Sequence, residues 1–180
     1  HWLLATPFRY PPLPQGSRFR GAADPGVFYG AEARRTACAE LGYWRWRFLL
    51  DSPALARLEA LSQTLFTASL DARAIDLREP PLVRDAAAWM HPRDYGPCQD
   101  LARVVRESGV TAIRYASVRD PDHGGCIAVL SPQVFVPGDF AEQGWRLTVM
   151  RSRVFWHRDS AVHAESFEFG TAQWRATLPA

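Results

Sequence analysis

The chain has 180 residues, 47% of them hydrophobic and 22% charged, with a formal net charge of +2. That length suits one compact domain able to bury about 70% of the surface its unfolded chain exposes, and the mixed charges argue against wholesale disorder. No stretch approaches the ~20 apolar residues of a membrane helix, and the start of the chain has no charged-then-apolar leader pattern, so a cytoplasmic protein without membrane contact is expected. The first residue is His1 rather than Met, which suggests a fragment or a processed form. The net charge is too small to demand nucleic acid. Every basic residue is arginine; lysine and asparagine are absent, as base-composition bias toward G and C would produce.

Taken in chain order, the segment through Gln15 carries Pro7, Pro11, Pro12 and Pro14 and is expected to be extended and irregular. A short extended stretch, Gly16 to Gly21, precedes the turn signal Asp24-Pro25-Gly26 and a strand at Val27-Phe28-Tyr29. From Ala31 to about Phe48 the composition predicts a helix, with Cys38, Leu41 and Trp44 or Arg45 on one face. Pro53 to Leu61 reads as a second short helix, followed by strands at Thr64–Leu70 and Ala74–Leu77. Gly96-Pro97 opens a helix to Glu107, ended by Gly109. Strands at Thr111–Ala116, Cys126–Leu130 and within Gly144–Phe155 complete an α+β pattern, with a polar loop at Asp120–Gly125.

Common catalytic signatures are missing: there is no P-loop, GxSxG, HExxH or GxGxxG. Cys38, Cys98 and Cys126 lack metal or redox spacing, Asp120 and Asp122 read as turn residues, and no metal is expected. The histidines His91, His123, His157 and His163 are scattered and read as surface residues.

Four short motifs recur in order: Gly16-Ser17-Arg18-Phe19, Gly26-Val27-Phe28-Tyr29, Ala37-Cys38-Ala39-Glu40 and Tyr115-Ala116-Ser117-Val118-Arg119. Together, from Phe8 to Leu130, they resemble the RES family, named for an Arg, a Glu and a Ser that correspond to Arg18, Glu40 and Ser117. In the commoner family form Trp-Asn follows the arginine; here Phe19-Arg20 does, which leaves Arg18 and Arg20 as alternatives, with Arg18 favoured by its Gly-Ser and Phe neighbours.

The resemblance implies an ADP-ribosyltransferase-like fold with a cleft between small sheets, NAD as substrate, and an Xre/ParS-type antitoxin as partner. It implies a toxin that breaks the nicotinamide-ribose bond and passes ADP-ribose to protein, phosphate or water. The residues suit such chemistry. A carboxylate at Glu40 would stabilise the oxocarbenium-like charge on the ribose. Tyr29 would stack on cationic nicotinamide, Arg18 with Arg9 or Arg119 would hold the diphosphate, and Ser117 would position nicotinamide or ribose. A non-catalytic partner-binding module on the same fold is the alternative. The aromatic-basic run Trp44-Arg45-Trp46-Arg47 is a candidate docking patch, with Trp46 the residue to test.

Overall fold

The computed structural model describes residues 2–12 and 14–178. Two four-stranded sheets organise it. The first contains β1 (Phe28–Ala31), β3 (Ala74–Asp76), β4 (Ala112–Ala116) and β5 (Gly125–Val129), in the order β1-β5-β4-β3. Within it β3 and β4 are parallel and the other pairs antiparallel. The second contains β2 (Leu58–Leu70), β6 (Phe135–Val149), β7 (Arg153–Arg158) and β8 (Ser166–Gly170), all antiparallel and in that order. The helices are α1 (Trp2–Arg9), α2 (Arg34–Leu50), α3 (Ala86–Trp89), α4 (Gly96–Glu107) and α5 (Ala172–Ala176). The α+β class is as expected. No helix among the described residues is long and apolar enough to cross a membrane.

Each sheet has its own core. Leu77, Ile113, Tyr115, Cys126 and Ala128 of the first sheet's region pack with Phe19 and with Cys98, Ala102 and Val105 of α4. In the second, Leu147, Val149, Val154, Trp156 and Phe169 meet Cys38, Ala39, Tyr43, Trp46 and Leu49 of α2, closed by Trp174 of α5. The 3/4 spacing of that α2 stripe is what helical geometry requires of a face buried against a sheet. Gly42 falls within it; a Cβ there would lie 3.0 Å from Val154, so the helix rests directly on β7.

Three expectations are corrected. The segment before Gln15 is helical over Trp2–Arg9 despite Pro7. Pro7 forfeits one amide donor, but the helix stops before Pro11-Pro12, and it packs through Leu4 and through Phe8 and Pro7 against Gly26, so tertiary contact outweighs propensity. Leu13, in the same stretch, lies outside the described residues. Pro53–Leu61 does not form a helix: β2 begins at Leu58, because pairing along β6 satisfies its backbone and buries Leu61 and Leu65 partly against the second core. Finally, the α2 stripe runs through Trp46, not Trp44. Trp46 is fully buried and its indole donates to the Arg151 carbonyl at 3.2 Å, whereas Trp44 is 53% exposed.

Candidate active site

Arg18 is presented by a tight turn in which Ser17 and Arg20 exchange both backbone hydrogen bonds, so Gly16–Gly21 is a reversal rather than an extended stretch. Gly16 opens it at φ +70°, and a Cβ there would overlap the Arg20 carbonyl, so glycine is required. Arg18 is 9% exposed; its Nη1 donates to the carbonyls of Trp89 (2.8 Å) and His91 (3.0 Å), and its guanidinium lies 4.7 Å from the Tyr95 ring centroid. Arg20 is turned elsewhere, donating to the carbonyls of Asp24 and Tyr10.

Tyr29 closes the same turn. Its hydroxyl is hydrogen-bonded to the Ser17 hydroxyl at 2.8 Å and accepts from the Phe19 amide at 2.9 Å, which leaves a 37% exposed residue with a fixed hydroxyl. Burial of the hydroxyl raises its pKa, against the lowering effect of those two hydrogen bonds. Strand pairing sets Tyr29 opposite Ala128 and Cys126 opposite Tyr115, so β1, β5 and β4 bring these side chains to one face. Tyr115 stands at the middle, edge-on to Phe19 at 4.9 Å. Burial pushes its hydroxyl well above the usual tyrosine value; Cys126, Glu40 and Tyr29 add to the rise and Arg18 opposes it. The Cys126 thiol is pushed up to about 12, first by burial and then by Glu40, so it is held as a neutral thiol.

Glu40 reaches this group from α2. The Ser117 hydroxyl donates to Glu40 Oε1 at 2.6 Å, and Cys126 Sγ lies 4.0 Å from the same oxygen. Ser117 is fully buried, and its Oγ also accepts from the amides of Arg119 (3.1 Å) and Asp120 (2.9 Å). With its proton and both lone pairs committed, the hydroxyl has no capacity left for another group. The turn that carries it is pinned to α2 by a buried hydrogen bond from Thr36 to Asp120 at 2.8 Å, one helical turn before Glu40. His123, at φ 51°, completes the turn through a ring nitrogen 2.8 Å from the Ser117 carbonyl.

Arg119 is 3% exposed. Its guanidinium carbon lies over the Tyr43 ring at 3.9 Å from the centroid, Nη2 donates to the Pro92 carbonyl at 2.6 Å, and buried Nη1 has no hydrogen-bond partner. Arg18 and Arg119 therefore converge on the backbone of one segment, Trp89–Pro92. Arg9 lies on the exposed last turn of α1, and its side chain makes no hydrogen bond or ion pair with a described residue.

A cavity of about 490 Å³ does lie between the sheets, lined by Glu32, Arg34, Arg35, Phe66, Gln143 and Glu165 among others. Arg18, Tyr29, Glu40 and Ser117 do not line it. Arg114 alternates with Ile113 and Tyr115 on β4, so it points to the opposite face, where it meets Glu32, one of the lining residues, at 2.7 Å. Glu32 is held below the ordinary carboxylate value, because hydrogen bonds from Arg78 and Arg114 outweigh the opposing effect of burial. A smaller apolar hollow of about 130 Å³, bounded by Leu77, Trp89, Met90 and Tyr115, adjoins the Arg18 side. Among the described residues no group of three His, Cys, Asp or Glu is placed to hold a metal.

Thr36, Tyr95, Asp120 and Trp174 support this site and were not singled out as site residues from the sequence. Asp120 offered a weak signal as part of the polar loop after Ser117; the others offered none, since Thr36 meets Asp120 across 84 positions, Tyr95 meets Arg18 across 77 and Trp174 meets Arg119 across 55.

No curated protein matches the chain. A family model for the RES domain matches residues 1–150, a span that contains all four motifs. The chain belongs to the RES-domain family, whose members are ADP-ribosyltransferase-like, toxin-type modules that act on NAD.

Proposed function

We propose that this protein is a toxin that cleaves the bond between nicotinamide and ribose in NAD and transfers ADP-ribose to an acceptor. The observation that carries this reading is the fixed carboxylate: Glu40 is held at 2.6 Å by a serine hydroxyl with every other bonding position filled, and Glu40, Tyr29 and Arg18 all act electrostatically on the one buried hydroxyl of Tyr115. A carboxylate held in advance stabilises positive charge developing at the anomeric carbon without a reorganisation cost at the moment of reaction. As the C–N bond breaks, its electron pair leaves with nicotinamide, and the acceptor then attacks the same carbon.

The roles follow the available atoms. Glu40 faces the ribose. Tyr29, with its hydroxyl committed, offers its ring to the nicotinamide cation, worth about 0.5–2 kcal/mol. Arg18 and Arg119 are the diphosphate ligands, and the unpartnered buried Nη1 of Arg119 fits an anionic group. Arg9, exposed and unattached, is a peripheral phosphate contact at most. Ser117 holds Glu40 in place and does not touch substrate, a change from the role inferred from sequence.

The family assignment favours an Xre/ParS-type antitoxin as partner and a cytoplasmic setting. Its docking surface includes Trp44 and Phe48, each 53% exposed and four residues apart on α2, since Trp46 is buried. The chain acts as one domain over residues 1–180, because α5 packs into the same core as α2. The acceptor is protein, phosphate or water. Incubating the purified protein with NAD, with and without phosphate and cell extract, tests the proposal. Nicotinamide release by the wild type and its loss in Glu40→Gln are expected, with the ADP-ribose product naming the acceptor. Absence of release in every condition would refute it in favour of a non-catalytic binding module.

A further inference from the structure

The β8–α5 segment lies outside the span matched by the family model, yet it reaches the candidate site. Its helix is fastened by the carbonyl of Arg151, which accepts from Thr171 Oγ1 at 2.9 Å and from Arg175 Nη2 at 3.2 Å, as well as from the Trp46 indole at 3.2 Å. So held, α5 directs Trp174 inward. The ring is 1% exposed, edge-on to Tyr43 at 5.7 Å and tilted on Trp46 at 5.8 Å. Its indole N–H donates to the Arg119 carbonyl at 2.6 Å, in a buried environment.

We propose that Trp174 is a positioning residue for the NAD-cleaving site, acting through the Ser117–Gly124 turn. Arg119 is gripped from two sides: Tyr43 lies under its guanidinium and Trp174 holds its carbonyl. The neighbouring amides of Arg119 and Asp120 are the two that donate to Ser117 Oγ, so the backbone that Trp174 fixes is the backbone that orients the Ser117 proton toward Glu40. In a buried site such a bond is strengthened by its low-dielectric surroundings, and its loss leaves a polar group unpaired at a cost. The proposal rests on the assignment of Glu40 and Ser117 to NAD cleavage.

Trp174→Phe removes the donor but also part of the ring. The cleaner variant places benzothienylalanine at position 174 by stop-codon suppression, keeping the shape and replacing N–H by sulfur. Hydrogen exchange of the backbone amides of residues 117–125 reads the turn whether or not the protein turns over NAD. Loss of one buried hydrogen bond should accelerate exchange there about five- to tenfold, with the β6–β7 amides unchanged. Nicotinamide release should fall in kcat by a similar factor, with KM for NAD within about twofold. Unchanged exchange in the turn overturns the proposal. If wild-type protein releases no nicotinamide, the functional assignment fails on that result, while the exchange measurement still decides whether Trp174 holds the turn.

Discussion

Replacing Ser117 by alanine should cost this protein stability as well as activity, and the size of the loss follows from three hydrogen bonds. The substitution removes the donor to Glu40 Oε1 at 2.6 Å and the acceptor for the amides of Arg119 and Asp120 at 3.1 and 2.9 Å. Ser117 is fully buried, and neither amide has another backbone partner among the described residues, so both donors are left without one. An orphaned buried N–H costs about 1–3 kcal/mol, and two in one turn that can relax together should cost roughly 2–4 kcal/mol. For a chain of this size that lowers Tm by about 6–12 °C, readable by thermal or urea denaturation followed through tryptophan fluorescence. Below the melting range, folded Ser117→Ala should release nicotinamide about 10- to 100-fold more slowly, because Glu40 is no longer oriented. A variant within about 0.5 kcal/mol of wild type would refute the claim that Oγ organises the turn. A variant destabilised as expected yet fully active would refute the coupling of that turn to Glu40.

Other expectations are independent of this one. Trp46→Ala, which empties a fully buried site, should destabilise the fold by about 3–5 kcal/mol, whereas Trp44→Ala should leave denaturation nearly unchanged and weaken binding of an antitoxin in a pull-down or calorimetric titration. Gly16→Ala forces a positive φ on alanine and drives its Cβ into the Arg20 carbonyl, so it should raise KM for NAD by displacing Arg18, or fail to fold; wild-type KM would contradict the turn's role. Arg78 holds the carboxyls of Asp76 and Glu32 below their ordinary range. Their contribution is present above the unfolded value, near pH 4, and is lost as pH falls through the lowered folded values. Arg78→Ala should therefore be less stable than wild type at neutral pH and converge with it at low pH, as measured by urea denaturation across that range.

Much of the secondary structure was legible because it is local. The α2 and α4 helices, the strands around Ile113 and Ile127, and the loop at Asp120–Gly125 each follow from periodicity or turn chemistry within a dozen residues. The failures are places where distant contacts decide. Leu58–Leu61 is a strand because β6, more than eighty residues on, supplies its hydrogen bonds, and α1 tolerates Pro7 because Gly26 lets its backbone approach. Which tryptophan of α2 is buried turned on a shift of two positions in the helical stripe, ambiguous until the second sheet supplied Val154 and Trp156 as its partners.

The candidate site divides the same way. The order of Arg18, Tyr29, Glu40 and Ser117 along the chain was enough to point to a RES domain, since residue types and local spacing are properties of the sequence itself. The tertiary structure alone decided that Arg18 rather than Arg20 turns toward Tyr95 and that the Ser117 hydroxyl donates to Glu40. It also decided that none of Arg18, Tyr29, Glu40 and Ser117 lines the inter-sheet cavity. The reason is physical: hydrogen-bond saturation, facing and burial depend on where separate segments meet, and the 77 positions between Glu40 and Ser117 are closed to a 2.6 Å bond only by the packing of α2 against the end of the first sheet.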